Sequence, residues 1–312
     1  MTHAGDDIAA KPVERAIERI RAVYRNWNRN TSVGQMRSDW DAAFAGCTAP
    51  VSCRHVSADG VDGEWIVPAD APHDKAILYF HGGGFRIGSV VSHRDLIAKI
   101  AEASGCRILA INYRLAPEHR FPAALSDSLA AYGYLLGQGM KPANIAFAGD
   151  SAGGNLVLAT MLSLRDRSEP LPAAGALMSP WTDLAATGAS YTSRAAADPI
   201  HQRSMILALA KNYLGDNGDP YNPLASPLYA DLKGLPALLI QVGDRETVLD
   251  DSTMFADVAR AAGVDVELQV WDAMIHVFQM FGAELAEAGQ AIASIAGFLN
   301  RHLHIKAERA SS

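Results

Sequence analysis

Asn144-Ile145-Ala146-Phe147-Ala148-Gly149-Asp150-Ser151-Ala152-Gly153-Gly154-Asn155-Leu156 sets an apolar, strand-like run directly before a serine bracketed by glycines. A helical pattern over residues 154–164 follows at once. Strand, tight turn and helix in that order describe an elbow, with the serine hydroxyl projecting above a sheet. Small residues at Gly149 and Gly153 let the chain turn that sharply. The helix start behind it offers free N–H groups and a partial positive charge, which favour developing negative charge. Gly-x-Ser-x-Gly is a common pattern; its place between strand and helix makes Ser151 a candidate nucleophile.

The same rhythm extends in both directions. Apolar, strand-like runs occur at residues 76–80, 107–112, 144–148, 175–178, 237–242 and 266–271. Helical patterns cover 94–103, 123–136, 154–164, 252–262 and 284–303. Continuous apolar strands alternating with amphipathic helices predict an α/β fold, a mostly parallel sheet covered on both faces. Ahead of it, residues 51–57 and 64–67 read as short strands around the turns Asp59-Gly60 and Asp62-Gly63. Residues 11–45 read as helices, with Pro12 in a first turn and Val13, Ile17, Ile20 and Tyr24 at helical spacing. Between Pro180 and Pro236 the rhythm breaks into several prolines and one helical run, 200–214. This reads as an insertion at the sheet's C-terminal edge, where open α/β folds carry ligand sites.

His81-Gly82-Gly83-Gly84 follows the strand 76–80. Consecutive glycines let backbone amides approach a ligand, as an acyl-transfer site requires for the oxyanion of its tetrahedral intermediate. The amide of Ala152 supplies a further donor. A dinucleotide loop is the competing reading, but Gly82, Gly84 and Gly88 have the wrong spacing. The next strand, moreover, ends in Asn112-Tyr113-Arg114 where an acid is needed.

A serine hydroxyl needs a histidine to take its proton and a carboxylate to orient that histidine. Of the histidines after Ser151, His302 and His304 end the terminal helix, and His201 lies in the insertion away from any strand end. His276 follows the strand 266–271 and is the well-placed base. The acid belongs after the strand 237–242, where Asp244, Glu246, Asp250 and Asp251 compete.

Composition narrows the rest. With 312 residues, 49% hydrophobic, the chain can bury a large core, and a net charge of −7 argues against nucleic acid or an anionic membrane. Three cysteines, Cys47, Cys53 and Cys106, form no Cys-x-x-Cys pair or zinc pattern, which reads as reduced thiols in a cytoplasmic protein. The first twenty residues carry early acids and no apolar core, unlike a signal peptide, and no apolar run of about 18 residues predicts a membrane span.

Taken together these motifs resemble the bacterial hormone-sensitive-lipase-like esterases, from about residue 76 onward. His81–Gly84 with Phe85 and Gly88-Ser89 is similar to that family's oxyanion motif. Tyr113-Arg114-Leu115-Ala116-Pro117-Glu118, then Phe121-Pro122-Ala123-Ala124 and Asp127, resembles its internal signature. Gly149–Gly154 with Asn155-Leu156 resembles its nucleophile elbow, and Met274, His276 and Phe278 resemble the stretch around its histidine. The family's acid pattern, Asp-Pro-Leu-x-Asp-Glu, aligned on Asp250-Asp251, falls on Glu246, with Glu for Asp and Thr247 for Pro; Asp244 is the alternative.

The resemblance implies an α/β-hydrolase fold with a helical cap. Residues 1–45 and 181–222 would form the cap; 46–180 and 223–312 would form the catalytic domain. It implies hydrolysis of short-acyl esters, acetyl to about hexanoyl, by Ser151, His276 and Glu246, with Gly83, Gly84 and Ala152 as oxyanion donors and no metal or cofactor. Arg114, Glu118 and Asp127 would form a structural network beneath the site, and Asp150 would be a structural polar residue. Amides and lactones fit the same constellation, and a non-catalytic small-ligand binder would typically have lost a triad member. The partner is a small-molecule ester, and the last strand is an edge open to homodimer pairing.

Overall fold

A computed structural model of the protein describes residues 12–305. Residues 1–11 of the expected cap segment and 306–312 of the catalytic segment lie outside the described residues. The helices are α1 (Pro12–Arg25), α2 (Val33–Phe44), α3 (Val90–Ser104), α4 (Ala123–Gly137), α5 (Ala152–Asp166), α6 (Ser190–Ser193), α7 (Arg203–Leu214), α8 (Leu249–Ala261) and α9 (Ala286–Leu303). The strands are β1 (Val51–Ala58), β2 (Val61–Pro68), β3 (Ala76–Phe80), β4 (Ile108–Ile111), β5 (Ile145–Asp150), β6 (Ala174–Met178), β7 (Ala237–Gly243) and β8 (Val266–Trp271).

They form one eight-stranded sheet in the order β1-β2-β4-β3-β5-β6-β7-β8. β2 runs antiparallel to both β1 and β4, and every other pair is parallel. Every residue of β3, β4 and β5 is buried, as helices on both faces require. α4, α5 and α8 cover one face through Leu135, Leu156 and Phe255. α3 and α9 cover the other through Leu96, Ile97, Ile295, Phe298 and Leu299. Each such side chain contributes about 1.5–3 kcal/mol on burial, so the two layers dominate the fold's stability.

Register decides where the chemistry lies. Phe80 pairs with Gly149, and Gly243 with Trp271. The loops after β3, β5, β7 and β8 therefore leave the sheet at one edge. α1 and α2 pack over that edge, with Ile17, Ile20, Trp40 and Phe44 against Ile275, Phe278 and Phe281. Cys47 and Cys53 are exposed, Cys106 is buried, and all three are free thiols. No helix among the described residues is long and apolar enough to cross a membrane.

Candidate active site

β5 carries the chain, fully buried, to Asp150, and α5 starts at Ala152. Ser151 between them has φ 52° and ψ −116°, a strained backbone for a residue with a Cβ. Its N–H donates to the Met178 carbonyl at 2.9 Å, and its own carbonyl accepts from Asn155 and Trp181, both at 3.1 Å. Close approach explains the flanking glycines. A Cβ on Gly153 would overlap the Phe80 carbonyl oxygen, and one on Gly149 would strike the Gly153 backbone.

After β3 the loop takes φ values of 114° at Gly83, 61° at Gly84 and 59° at Phe85. The Gly83 carbonyl is tied back by the N–H groups of Arg86 (3.1 Å) and Ile87 (3.0 Å). Below it, the Tyr113 hydroxyl donates to the His81 carbonyl at 2.7 Å, and the two rings stack at 4.3 Å. Burial pushes the His81 pKa down to about 3, so this imidazole is neutral.

Asp150 and His93 form a buried pair behind the same loop, Nε2 to Oδ2 3.4 Å, and Tyr79 donates to Oδ1 at 2.7 Å. Burial opposes both charges, yet each raises the other's ionisation. His93 ends above the ordinary 6.5, and Asp150 ends below the ordinary 3.8. The stability from a raised histidine is full below its unfolded pKa and lost as pH rises through the folded one. That from a depressed aspartate is full above its unfolded pKa and lost as pH falls through the folded one. The pair therefore stabilises most between 3.8 and 6.5. His93→Gln should cost about 3–5 kcal/mol there, because it strands a buried carboxylate. Urea denaturation across pH tests this; a gap that grows toward alkaline pH contradicts it.

Glu246 follows β7 and is fully buried. Its Oε1 accepts from the Ser179 hydroxyl at 2.8 Å and the Gly243 N–H at 2.5 Å, and its Oε2 lies 2.7 Å from His276 Nδ1. Ser179 in turn accepts from the Val277 N–H at 3.2 Å, which locks the two loops together. Burial alone would lower the His276 pKa, but the Glu246 charge and hydrogen bond outweigh it and raise it above 6.5. With His276 Nδ1–H donating to Glu246 Oε2, Nε2 is free to accept a proton. Two other acids of the loop are engaged elsewhere. Asp250 accepts from the Ser190 N–H, and Asp251 accepts from the N–H groups of Thr182 and Asp183. Asp244 makes no hydrogen bond to His276, and its Oδ1 has no partner among the described residues.

Ser151, His276, Gly83 and Gly84 line one cavity of about 220 Å³. α1, α2 and the connection between them wall it with Tyr24, Trp40 and Trp27, and α7 with Met205, Ile206 and Leu209. Ala152 is buried at the first turn of α5, directly after Ser151.

His201, set aside from the sequence as remote, is brought into this cavity. Its ring meets that of His276 edge-on, with centroids 4.5 Å apart. Asp198 places it by accepting from the N–H groups of Ile200 (2.8 Å) and His201 (2.9 Å), and from Thr247 N–H at 2.8 Å in the acid loop. Burial, then the His276 charge, push the His201 pKa down to about 4 against the pull of Asp198. Only the Asp198-Pro199 step marked this spot in the sequence. The expected network of Arg114, Glu118 and Asp127 is split. Arg114 pairs with Asp127 at 2.7 Å, whereas Glu118 takes Arg37 of α2 at 2.7 Å.

A family profile described as alpha/beta hydrolase fold matches residues 77–280. An acetyl-hydrolase of Streptomyces hygroscopicus is 41% identical over 292 residues, covering 91% of this chain and 95% of that protein. An esterase of Acinetobacter venetianus is 40% identical over 248 residues, covering 80% and 82%. The crystal structure of an esterase from the bacterial hormone-sensitive lipase family superposes with a TM-score of 0.89 at 43% identity, covering 97% of this chain and all of that one. A mutant of the esterase E40 superposes at 0.91 and 45% identity, covering 94% and 99%. Sheet order, serine elbow and relatives agree, and the chain belongs to the α/β-hydrolase fold family, among the bacterial hormone-sensitive-lipase-like esterases.

Proposed function

We propose that this protein hydrolyses carboxylic esters of short acyl chains through Ser151, His276 and Glu246. The observation that carries the reading is the 2.7 Å contact between His276 Nδ1 and a fully buried Glu246, in the cavity that Ser151 lines. His276 Nε2 takes the Ser151 proton as the hydroxyl attacks the ester carbonyl, and Glu246 stabilises the imidazolium. The N–H groups of Gly83, Gly84 and Ala152 receive the oxyanion. His276 then protonates the leaving alcohol, and a water activated by the same histidine releases the acid. A cavity of about 220 Å³ is small beside the ~300–1,000 Å³ typical of drug-sized ligands, which favours acetyl to about hexanoyl. Hydrolysis of p-nitrophenyl esters from acetyl to palmitoyl tests it. Turnover should peak among the short chains; no turnover by folded protein would refute it.

Of the described residues, 12–45 and 181–222 act as the cap over a catalytic domain of 46–180 and 223–305. α1, α2 and α7 supply cavity walls from those two segments, which supports the division. Deleting residues 1–45 should shift acyl-chain preference toward longer esters and lower the melting temperature. An unchanged chain-length profile would count against the cap. The β8 edge, where Val270 is 48% exposed, favours strand pairing between two copies. Light scattering should give twice the chain mass, and a monomer mass would remove the idea. Free thiols at Cys47 and Cys53 favour a reducing, cytoplasmic setting.

A further inference from the structure

Three residues that line the active-site cavity each hold a shielded nitrogen without a hydrogen-bond partner among the described residues: Arg86 Nε, Trp40 Nε1 and His201 Nδ1. Buried polar atoms are nearly always paired, and these three orphans sit on residues that line one cavity, which leaves donors there for a ligand to satisfy. Arg86 Nε and Trp40 Nε1 only donate, and His201 Nδ1 donates in one tautomer. The complementary ligand is therefore rich in acceptors.

Arg86 sets its charge. A guanidinium is a permanent cation, and this half-buried one forms no ion pair among the described residues. The acids around it are engaged elsewhere. Glu118 holds Arg37 at 2.7 Å, Asp41 accepts from the Ser89 hydroxyl at 2.7 Å, and Asp150 is held by His93 and Tyr79. α2 fixes the segment: Arg37 Nε donates to the Arg86 carbonyl at 2.9 Å, and Asp41 takes Ser89. Trp40 stands between those two anchors. Arg86 is two residues beyond Gly84, so the cation shares the cavity with the reacting carbonyl.

We propose that the preferred substrates carry a carboxylate remote from the scissile ester, as half-esters of dicarboxylic acids do. Arg86 is its counter-charge, and the Trp40 indole N–H is a second donor. A carboxylate accepts several hydrogen bonds and matches the guanidinium fork, whereas a plain alkyl ester leaves these donors unpaired. The proposal rests on ester hydrolysis at Ser151 and names the substrate class for that site.

The test compares monoethyl esters of succinic and glutaric acid with ethyl succinamate and ethyl glutaramate, which replace the carboxylate by a neutral amide of the same shape. The wild-type kcat/KM ratio, acid over amide, should be about tenfold or more, falling toward one in Arg86→Met and lying between in Arg86→Lys. A wild-type ratio of one or less, with ethyl butyrate still hydrolysed, overturns the proposal and leaves ester hydrolysis standing. Calorimetry gives a readout independent of turnover. Monoethyl glutarate should bind Ser151→Ala saturably and lose that binding when Arg86→Met is added. Equal affinity in both proteins, or no saturable binding in either, overturns the proposal as well.

Discussion

Ser151→Ala is expected to lower kcat/KM for p-nitrophenyl acetate by about 10⁴- to 10⁶-fold, because it removes the hydroxyl proposed to form the covalent acyl-enzyme. The fold should survive the change. Every structural bond of Ser151 runs through its backbone: N–H to Met178, carbonyl from Asn155 and Trp181. Alanine keeps the Cβ, so it bears the same strain at φ 52° and neither relieves nor worsens it. The expected stability change is within about 0.5 kcal/mol. Residual activity above water would come from the glycine loop and the cavity, which are untouched. Rate and circular dichroism must be measured on one sample. A folded Ser151→Ala protein that keeps a tenth of wild-type turnover would strip Ser151 of the nucleophile's role.

The fold was legible in the sequence wherever burial imposed a period. β3 has the bounds its apolar run predicts because all five of its residues are buried, and β8 keeps the predicted bounds although only Val266 of its six residues is buried. Helix starts were less legible, for one reason. α3 begins at Val90 rather than residue 94, α5 at Ala152 rather than 154, and α8 at Leu249 rather than 252. First turns that face the site are chosen for capping and close approach, not amphipathic spacing. Ser89 caps α3 through the N–H groups of Val91 and Ser92, and Gly153 opens α5 because the β3 backbone touches it. His201 escaped detection because it lies just ahead of α7, at the start of the run read as 200–214, where helical spacing says nothing of the sheet edge it faces. Long-range hydrogen bonds from Asp198 to the acid loop place it, and no local pattern encodes them. The unpaired Arg86 was invisible too, since an arginine's lack of a counter-ion exists only once the neighbouring acids have chosen partners.

Glu246→Gln is expected to slow kcat/KM by about 10³- to 10⁴-fold with little change in structure. Glutamine keeps the length and one oxygen, which can still accept from Ser179 and Gly243. The amide NH₂ then faces His276 Nδ1 and donates to it. The imidazole proton is driven to Nε2, where the Ser151 proton has to go, and the imidazolium formed on attack loses its counter-charge. The pH profile separates this from simple disruption. Activity requires neutral His276, so the wild-type kcat/KM should fall as pH drops through a pKa held above 6.5 by Glu246. In Glu246→Gln the acid limb should move down, because burial is then opposed only by the weaker pulls of Asp198 and Asp150. Asp244→Asn changes a side chain that does not bond His276, so its rate should stay in the wild-type range with the limb unmoved. If Asp244→Asn were the slower variant, or if the limb stayed in place in Glu246→Gln, the orienting carboxylate would have to be sought at Asp244. A 2.7 Å contact from a fully buried carboxylate with two further donors leaves little room for that outcome.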